Sequence, residues 1–317
     1  MNRKELLRAG ALIPIGLSTL PLSAEVGPAG TSEGAGSYPA KIKISLNAFS
    51  FNTELRKHLS GEPGGMSLFE LLEYCARVGF DAVDPTGYYF PGYPDRPDAA
   101  FVRKFKREAH RLGLEISGTG IKTDFSNKDK AVREAGLAMT KEWVEVAAGM
   151  GAPVLRVFVG HPPKGIEWKT AAGWAIEALA ECAEYGKQAG VIVAFQNHAD
   201  MIKTAAETLY ILNQIHSDWL GLVADTGSFI TDNPYHDIEQ VIPYAVNWQL
   251  KDLLASRRGG PIDVKAFTQL LVKHHYRGYV PIEALPERDG RDAFNPYQEV
   301  EKLYTAFRSA IEASGGI

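Results

Sequence analysis

Cysteine is almost absent from this chain. Cys75 and Cys182 are the only two in 317 residues. Both fall inside helical patterns expected on opposite sides of the fold, which argues against a disulfide and makes them helix-to-sheet packing residues. The chain also lacks an excess of charge of either sign. With a formal net charge of −4 and a pI near 6.1 it has no electrostatic footprint for nucleic acid. It has no glycine-rich phosphate cradle of the Walker or dinucleotide kind, so no nucleotide cofactor is expected, neither ATP nor NAD. Past the N-terminus no apolar run approaches the roughly 20 residues of a membrane span.

The N-terminus itself is different in character. Arg3, Lys4 and Arg8 precede an apolar stretch over residues 9–22, followed by Ser23-Ala24-Glu25. A basic start, an apolar core and small residues behind it form the pattern of a secretory signal peptide over residues 1–24. Arg3-Lys4-Glu5-Leu6-Leu7-Arg8 is similar to a twin-arginine signal with one arginine replaced. The competing reading is an amphipathic N-terminal helix. Export to a bacterial periplasm is the expectation carried forward. Residues 25–40, rich in Gly, Ser and Pro, then read as a flexible lead-in.

From Lys41 onward strands and helices alternate. Short apolar runs predict strands over residues 42–49, 82–85, 114–119, 154–159, 191–197, 220–225, 245–251 and 279–283. Helical patterns lie between and after them, over residues 67–78, 98–111, 129–150, 170–188, 204–215, 235–242, 263–275 and 295–312. Gly79, Gly113, Gly151, Gly190 and Gly278 stand where helices hand over to strands, the place for a left-handed C-cap. Long crossovers give a parallel sheet, and eight units with no spare sequence favour closure. The expected fold is α/β, a single (β/α)8 TIM barrel over residues 41–317.

Strand phase then sorts the side chains, because they alternate faces. Asp84, Arg156, Phe158, Gln196, His198, Asp225, Asn247, Gln249, Lys251 and Glu283 fall on the inward phase, with Ser45, Asn47, Ser117 and Thr119 continuing the ring. Asp225 and Glu283 each close an apolar run, and Gln196 and Gln249 take the equivalent places in two others. A polar residue at each strand end gathers oxygens at the C-terminal mouth, where such barrels do chemistry.

Five segments carry a resemblance: Gly79-Phe80-Asp81-Ala82-Val83-Asp84, Phe195-Gln196-Asn197-His198, Ala224-Asp225-Thr226-Gly227, Gln249-Leu250-Lys251-Asp252 and Pro281-Ile282-Glu283. In that order the chain resembles the xylose isomerase-like TIM-barrel family of sugar isomerases, epimerases and inosose dehydratases. The resemblance implies one divalent cation held by Glu, Asp, His and Glu at the matching strand ends. Here the matching residues are Gln196, Asp225, Gln249 and Glu283, so one charge and one nitrogen donor are gone. An oxygen-only set implies Mn2+ or Mg2+ rather than zinc. The ketose 3-epimerase pattern departs further, with Ser228 where a His and Ala255 where an Arg is expected.

An amide has no basic lone pair near neutral pH, so Gln196 is no base and Glu283 becomes the expected general base. His198 and Lys251 are the other catalytic candidates. Arg156 either pairs with Asp84 or Glu283, or holds a substrate oxygen. His161, Asp84 and Trp168 complete the expected substrate contacts. Tyr88, Tyr89, Phe90 and Tyr93 supply aromatic faces for a sugar, or apolar anchors for their own loop. The implied partner is a small-molecule carbohydrate, and a homo-oligomer is compatible with the sequence. The implied activity is sugar isomerisation or epimerisation by proton abstraction next to a carbonyl. Two alternatives stand: a lyase or hydratase acting on a keto-sugar or 3-keto-glycoside, and a carbohydrate-binding barrel without activity.

Overall fold

The computed structural model describes residues 38–198, 201–254, 260–286 and 294–316. The expected signal peptide, most of the lead-in and Ala255 lie outside the described residues. The strands are β1 (Lys41–Asn47), β2 (Ala82–Asp84), β3 (Glu115–Ile116), β4 (Thr119–Gly120), β5 (Val154–Phe158), β6 (Ile192–Gln196), β7 (Leu220–Asp225), β8 (Ala245–Lys251) and β9 (Arg277–Glu283). They form one parallel sheet in the order β3-β2-β1-β9-β8-β7-β6-β5-β4. The two edges, β3 and β4, are successive pieces of one stave, and Thr86 beyond β2 bridges Gly120 in parallel. The expected eight-staved barrel is therefore what forms.

The expected strand over residues 114–119 is broken, and Pro85 explains why. Ser117 N–H donates to the Val83 carbonyl at 2.9 Å. In a parallel ladder the Ser117 carbonyl would next accept from residue 85, but proline has no N–H. The Asn247 side chain, reaching across the lumen, donates to that carbonyl at 3.2 Å instead. Thr119 Oγ1 donates to the Pro85 carbonyl at 2.7 Å. Side chains thus replace the missing rungs.

Helices α1 (Asn52–Ser60), α2 (Leu68–Val78), α3 (Ala99–Arg111), α4 (Lys130–Met150), α5 (Trp168–Ala189), α6 (Ala205–Leu212), α7 (Pro234–Val241), α8 (Val264–Lys273) and α9 (Pro296–Ser314) cover the outside. Ser67, Asp98, Asp129, Thr204, Asp263 and Asn295, expected as first helical residues, are N-caps whose side chains accept from the first turn. Gly79, Gly151 and Gly190 are left-handed C-caps as expected. Gly278 is not: it lies inside β9, and His275, at φ 55°, takes the left-handed position after α8. Helix α1 escaped the sequence reading because only Leu55 of its residues is buried.

The main core lies between sheet and helices, and it buries Cys75 of α2 and Cys182 of α5 as separate free thiols. A second cluster, Val154, Ala194 and Val223 with Ile192 and Val246, is separate from it. These residues share strands β5–β8 with the inward polar residues and precede them. These apolar side chains share the lower lumen with Asn247, in register with Val223, and with the hydrogen-bonded Ser45 and Ser117.

Gly186 of α5 shows how closely helix and sheet approach. A methyl there would collide with the Val191 carbonyl and reach Val193 Cγ2 at 3.0 Å. Helix propensity alone favours Gly186→Ala by about 1 kcal/mol. Overpacking of about 1–3 kcal/mol opposes it and should win against an unyielding carbonyl. Urea unfolding is expected to show a net loss of stability.

Candidate functional site

Four neighbouring strands bring the expected quartet together. Parallel registry sets Gln196 beside Val223, Asp225 beside Gln249 and Lys251 beside Glu283. The residues stand at the C-terminal rim, and Gln196, Asp225, Gln249 and Glu283 are all buried. Gln196 Nε2 donates to Asp225 Oδ2 at 2.7 Å and to Gln249 Oε1 at 2.9 Å. The opposite amide orientation would set an oxygen against the carboxylate.

Asp225 is fixed from every side. Its backbone N–H donates to Asn197 Oδ1 at 2.7 Å, and its carbonyl accepts from Asn197 Nδ2 at 3.1 Å. Its Oδ1 accepts from Gly227 N–H at 2.9 Å, and its Oδ2 accepts from Ser228 Oγ at 2.8 Å. Lys251 Nζ donates to the same Oδ2 at 2.7 Å and lies 3.8 Å from Glu283 Oε1. The lysine stem runs over Gly227, where a Cβ would come within 2.6 Å of Lys251 Cδ. Only glycine leaves that path open.

Arg156 occupies the other side of the rim. It donates to the Tyr88 hydroxyl at 3.0 Å and to the Ile121 carbonyl at 2.8 Å, and its guanidinium lies 4.2 Å over the Phe158 ring. A Cβ on Gly120 would meet the guanidinium at 2.7 Å, so glycine makes its bed. Of the two expected roles, direct pairing with Asp84 or Glu283 is not formed among the described residues; both carboxyls act on Arg156 at longer range.

Burial governs the ionisation of these groups. It pushes Glu283 up to about 7 despite the opposing Lys251 charge. It pushes Asp84 up to about 6, with Arg156 pulling the other way. For Lys251 burial works against the ammonium, yet Asp225 and Glu283 outweigh it and its pKa rises. The rim therefore holds a standing cation, Lys251, beside a carboxyl that changes charge near neutrality.

The resemblance implies a divalent cation at this place. As arranged, the residues fit an ammonium and not such an ion. Asp225 Oδ2 already accepts from three donors, and Gln249 Oε1 faces the Gln196 amide N–H. Among the described residues no group of three or more His, Cys, Asp and Glu is placed to hold a metal.

The remaining expected residues divide. His198 is half-buried, with its ring edge-on to Phe158 at 4.9 Å between centroids, and so belongs to the mouth. His161 is exposed on the loop after β5; its carbonyl accepts from Ser126 Oγ at 2.7 Å. Trp168 gives its indole N–H to the Met201 carbonyl at 3.0 Å and packs on Tyr210, contacts that secure a loop to α5. Tyr89 and Phe90 are buried anchors, while Tyr88 alone of that loop meets Arg156. Sequence reasoning had given no role to Asn197, Gly120 and Gly227, and it treated Ser228 only as a departure. For Ser228 and Gly227 the signal was their spacing from Asp225, which suits an Asx turn.

Over residues 72–304 the sequence matches the family described as Xylose isomerase-like TIM barrel. No curated protein matches it in sequence. Among solved structures it is similar to D-allulose 3-epimerase from Methylomonas sp., with TM-score 0.68 and 16% identity over 86% of this chain and 99% of that one. It is similar to D-psicose 3-epimerase from Clostridium cellulolyticum H10, with TM-score 0.67, 16% identity and coverage of 86% and 98%. A 3-keto-D-glucoside 4-epimerase from E. coli aligns with TM-score 0.62, 15% identity and coverage of 85% and 100%. At such identities the likeness is one of fold.

The buried carboxyl of Asp84 yields a stability prediction. Its folded pKa of about 6 lies above its ordinary value of 3.8, so the folded state binds the proton more tightly. Stability from this group is thus complete below pH 4 and is lost as pH rises through 6. Two pKa units correspond to about 3 kcal/mol. Asp84→Asn, a mimic of the protonated acid, should be more stable than wild type at pH 8 by up to that amount. Near pH 3.5 it should differ little. Equal pH dependence of the two proteins in urea unfolding would refute this account.

Proposed function

Because the chain belongs to the xylose isomerase-like TIM-barrel family, we propose that it is a carbohydrate-active enzyme of isomerase or epimerase type. It works by proton abstraction next to a carbonyl at the C-terminal mouth of the barrel. The observation that carries this reading is Glu283: a buried carboxyl, pushed up to about 7 by burial, beside the Lys251 ammonium at 3.8 Å. A base poised near the working pH combines a useful ionised fraction with real proton affinity.

In the proposed step Glu283 takes the proton from the carbon next to the carbonyl. The C–H electron pair moves into a carbon–carbon double bond, and charge collects on the carbonyl oxygen. Lys251 donates to that oxygen, with Arg156 as a second cation at the rim. Protonation of the same carbon on its other face, by a donor other than Glu283, epimerises; return of the proton from Glu283 to the neighbouring carbon, with the first carbon's hydroxyl proton passing to the enolate oxygen, isomerises. Among the described residues, buried polar atoms without a protein partner include Asn47 Nδ2, Arg156 Nε and Gln196 Oε1. Two donors and one acceptor complement sugar hydroxyls, each of which can donate and accept.

One observation favours a second reading within the same chemistry. Gln196 is an amide bonded to Asp225 and Gln249, so no second carboxylate stands there to return a proton. A lyase or hydratase acting on a 3-keto-glycoside needs one base only, because the enolate expels an oxygen substituent from the neighbouring carbon. The basic and apolar N-terminus supports export, which suits unphosphorylated sugars of this kind.

Deuterium uptake from D2O into a panel of free, phosphorylated and 3-keto sugars separates the readings. Uptake at one carbon supports proton abstraction, and loss of the aglycone supports the lyase. Glu283→Gln should keep the fold while cutting turnover by about 10²-fold or more. In wild type kcat/KM should rise with pH up to about 7, because the base is the deprotonated form. An unchanged Glu283→Gln variant would remove Glu283 from the reaction and leave His198 as the base to test.

A further inference from the structure

We infer that this barrel carries its electrophilic cation covalently, as the Lys251 ammonium, in place of a divalent metal ion. The inference deepens the rim reading above, but its evidence is the arrangement of this chain's own side chains.

Lys251 Nζ lies 2.7 Å from Asp225 Oδ2 and 3.8 Å from Glu283 Oε1, so it stands in contact with the first carboxylate and beside the second. Its position is built, not incidental. The Lys251 N–H donates to Thr226 Oγ1 at 3.0 Å, and the stem crosses Gly227, where even a methyl would come within 2.6 Å of it. The ammonium is nearly enclosed, with 13% of the side chain exposed.

The surrounding donors are turned to suit a monovalent cation. Gln196 directs an N–H, not its oxygen, at Asp225, so its oxygen is not offered to an ion seated on that carboxylate. Asp225 Oδ2 accepts from Gln196, Ser228 and Lys251, and Oδ1 accepts from Gly227. Mg2+ and Mn2+ require several oxygens at about 2.0–2.2 Å. An ion seated on Asp225 Oδ2 at that distance would lie within about 5 Å of the ammonium, and like charges so near disfavour each other strongly.

The test is Mn2+ uptake by the full chain after chelation, read by metal analysis following equilibrium dialysis, with no substrate present. Wild type should take up no stoichiometric Mn2+ at about 100 μM, a concentration that fills oxygen-ligated sites of moderate affinity. The double variant Gln196→Glu/Lys251→Ala, which removes the ammonium and adds a carboxylate, should bind one Mn2+ per chain, at least 100-fold more tightly than wild type. Circular dichroism establishes that the variant folds. One Mn2+ per wild-type chain would overturn the inference without any variant. A folded double variant that still refuses Mn2+ would equally remove Lys251 from the cation's place. Because metal uptake is read without a sugar, an absence of enzymatic activity would sink the proposed function and leave this result standing.

Discussion

Asp225 places a carboxylate with no exposed surface at the end of β7, and the neighbouring strands are arranged around the need to satisfy it. A buried charge without partners is costly, and removing one partner of a buried pair usually costs several kcal/mol. β6 supplies Gln196, the residue just beyond it supplies the Asn197 amide, β8 supplies Lys251, and the turn after β7 supplies Gly227 and Ser228. These bonds cross between staves, so they fix the relative heights of β6, β7 and β8 at the rim. The ion pair that holds Asp225 also brings Lys251 beside Glu283. The same interaction locks the barrel mouth and prepares the site.

The lumen below makes that arrangement tolerable. Val154, Ala194 and Val223 line the lower barrel with apolar side chains, and Arg156, Gln196 and Asp225 follow two residues later on the same strands. Below the rim the polar side chains satisfy one another: the Ser45 and Ser117 hydroxyls lie 2.7 Å apart, and the Asn247 amide donates to the Ser117 carbonyl at 3.2 Å. Glu283 and Asp84 sit at this boundary, where burial raises their proton affinity without removing them from reach of a ligand. Among the described residues Arg156 is held by the Tyr88 hydroxyl, the Ile121 carbonyl and the Phe158 face, with no carboxylate in direct contact. A cation kept in place without an anion of its own is suited to an oxygen-rich ligand.

Much of this was legible in the sequence, for physical reasons. The period-2 phase of a strand fixes which side chains face inward, and β7 and β8 formed over the expected residues. The N-cap residues were legible because a short side chain must satisfy a helix's first N–H groups. The broken third stave was not, because it depends on Pro85 in the neighbouring strand and Asn247 across the lumen. Helix α1 has too little apolar surface to announce itself, and Gly278 misled because His275 adopts the left-handed conformation that glycine usually supplies.

The site was legible in direction but not in reach. Phase places Gln249 and Lys251 on one face of β8, yet it does not say how far each side chain extends. Gln249 stops short and meets its neighbour amide, whereas the longer lysine passes over Gly227 to Asp225. Nor does phase say which end of an amide faces a carboxylate. That is decided by the carboxylate itself: with its lone pairs directed at the lumen, the stable orientation of Gln196 presents N–H. The carbonyl oxygen is thereby turned away, buried and without a partner. An amide in place of a carboxylate thus does more than remove a charge. It converts a position that would repel Asp225 into one that binds it, and it leaves an acceptor at the rim that is unpartnered among the described residues and open to a ligand or water.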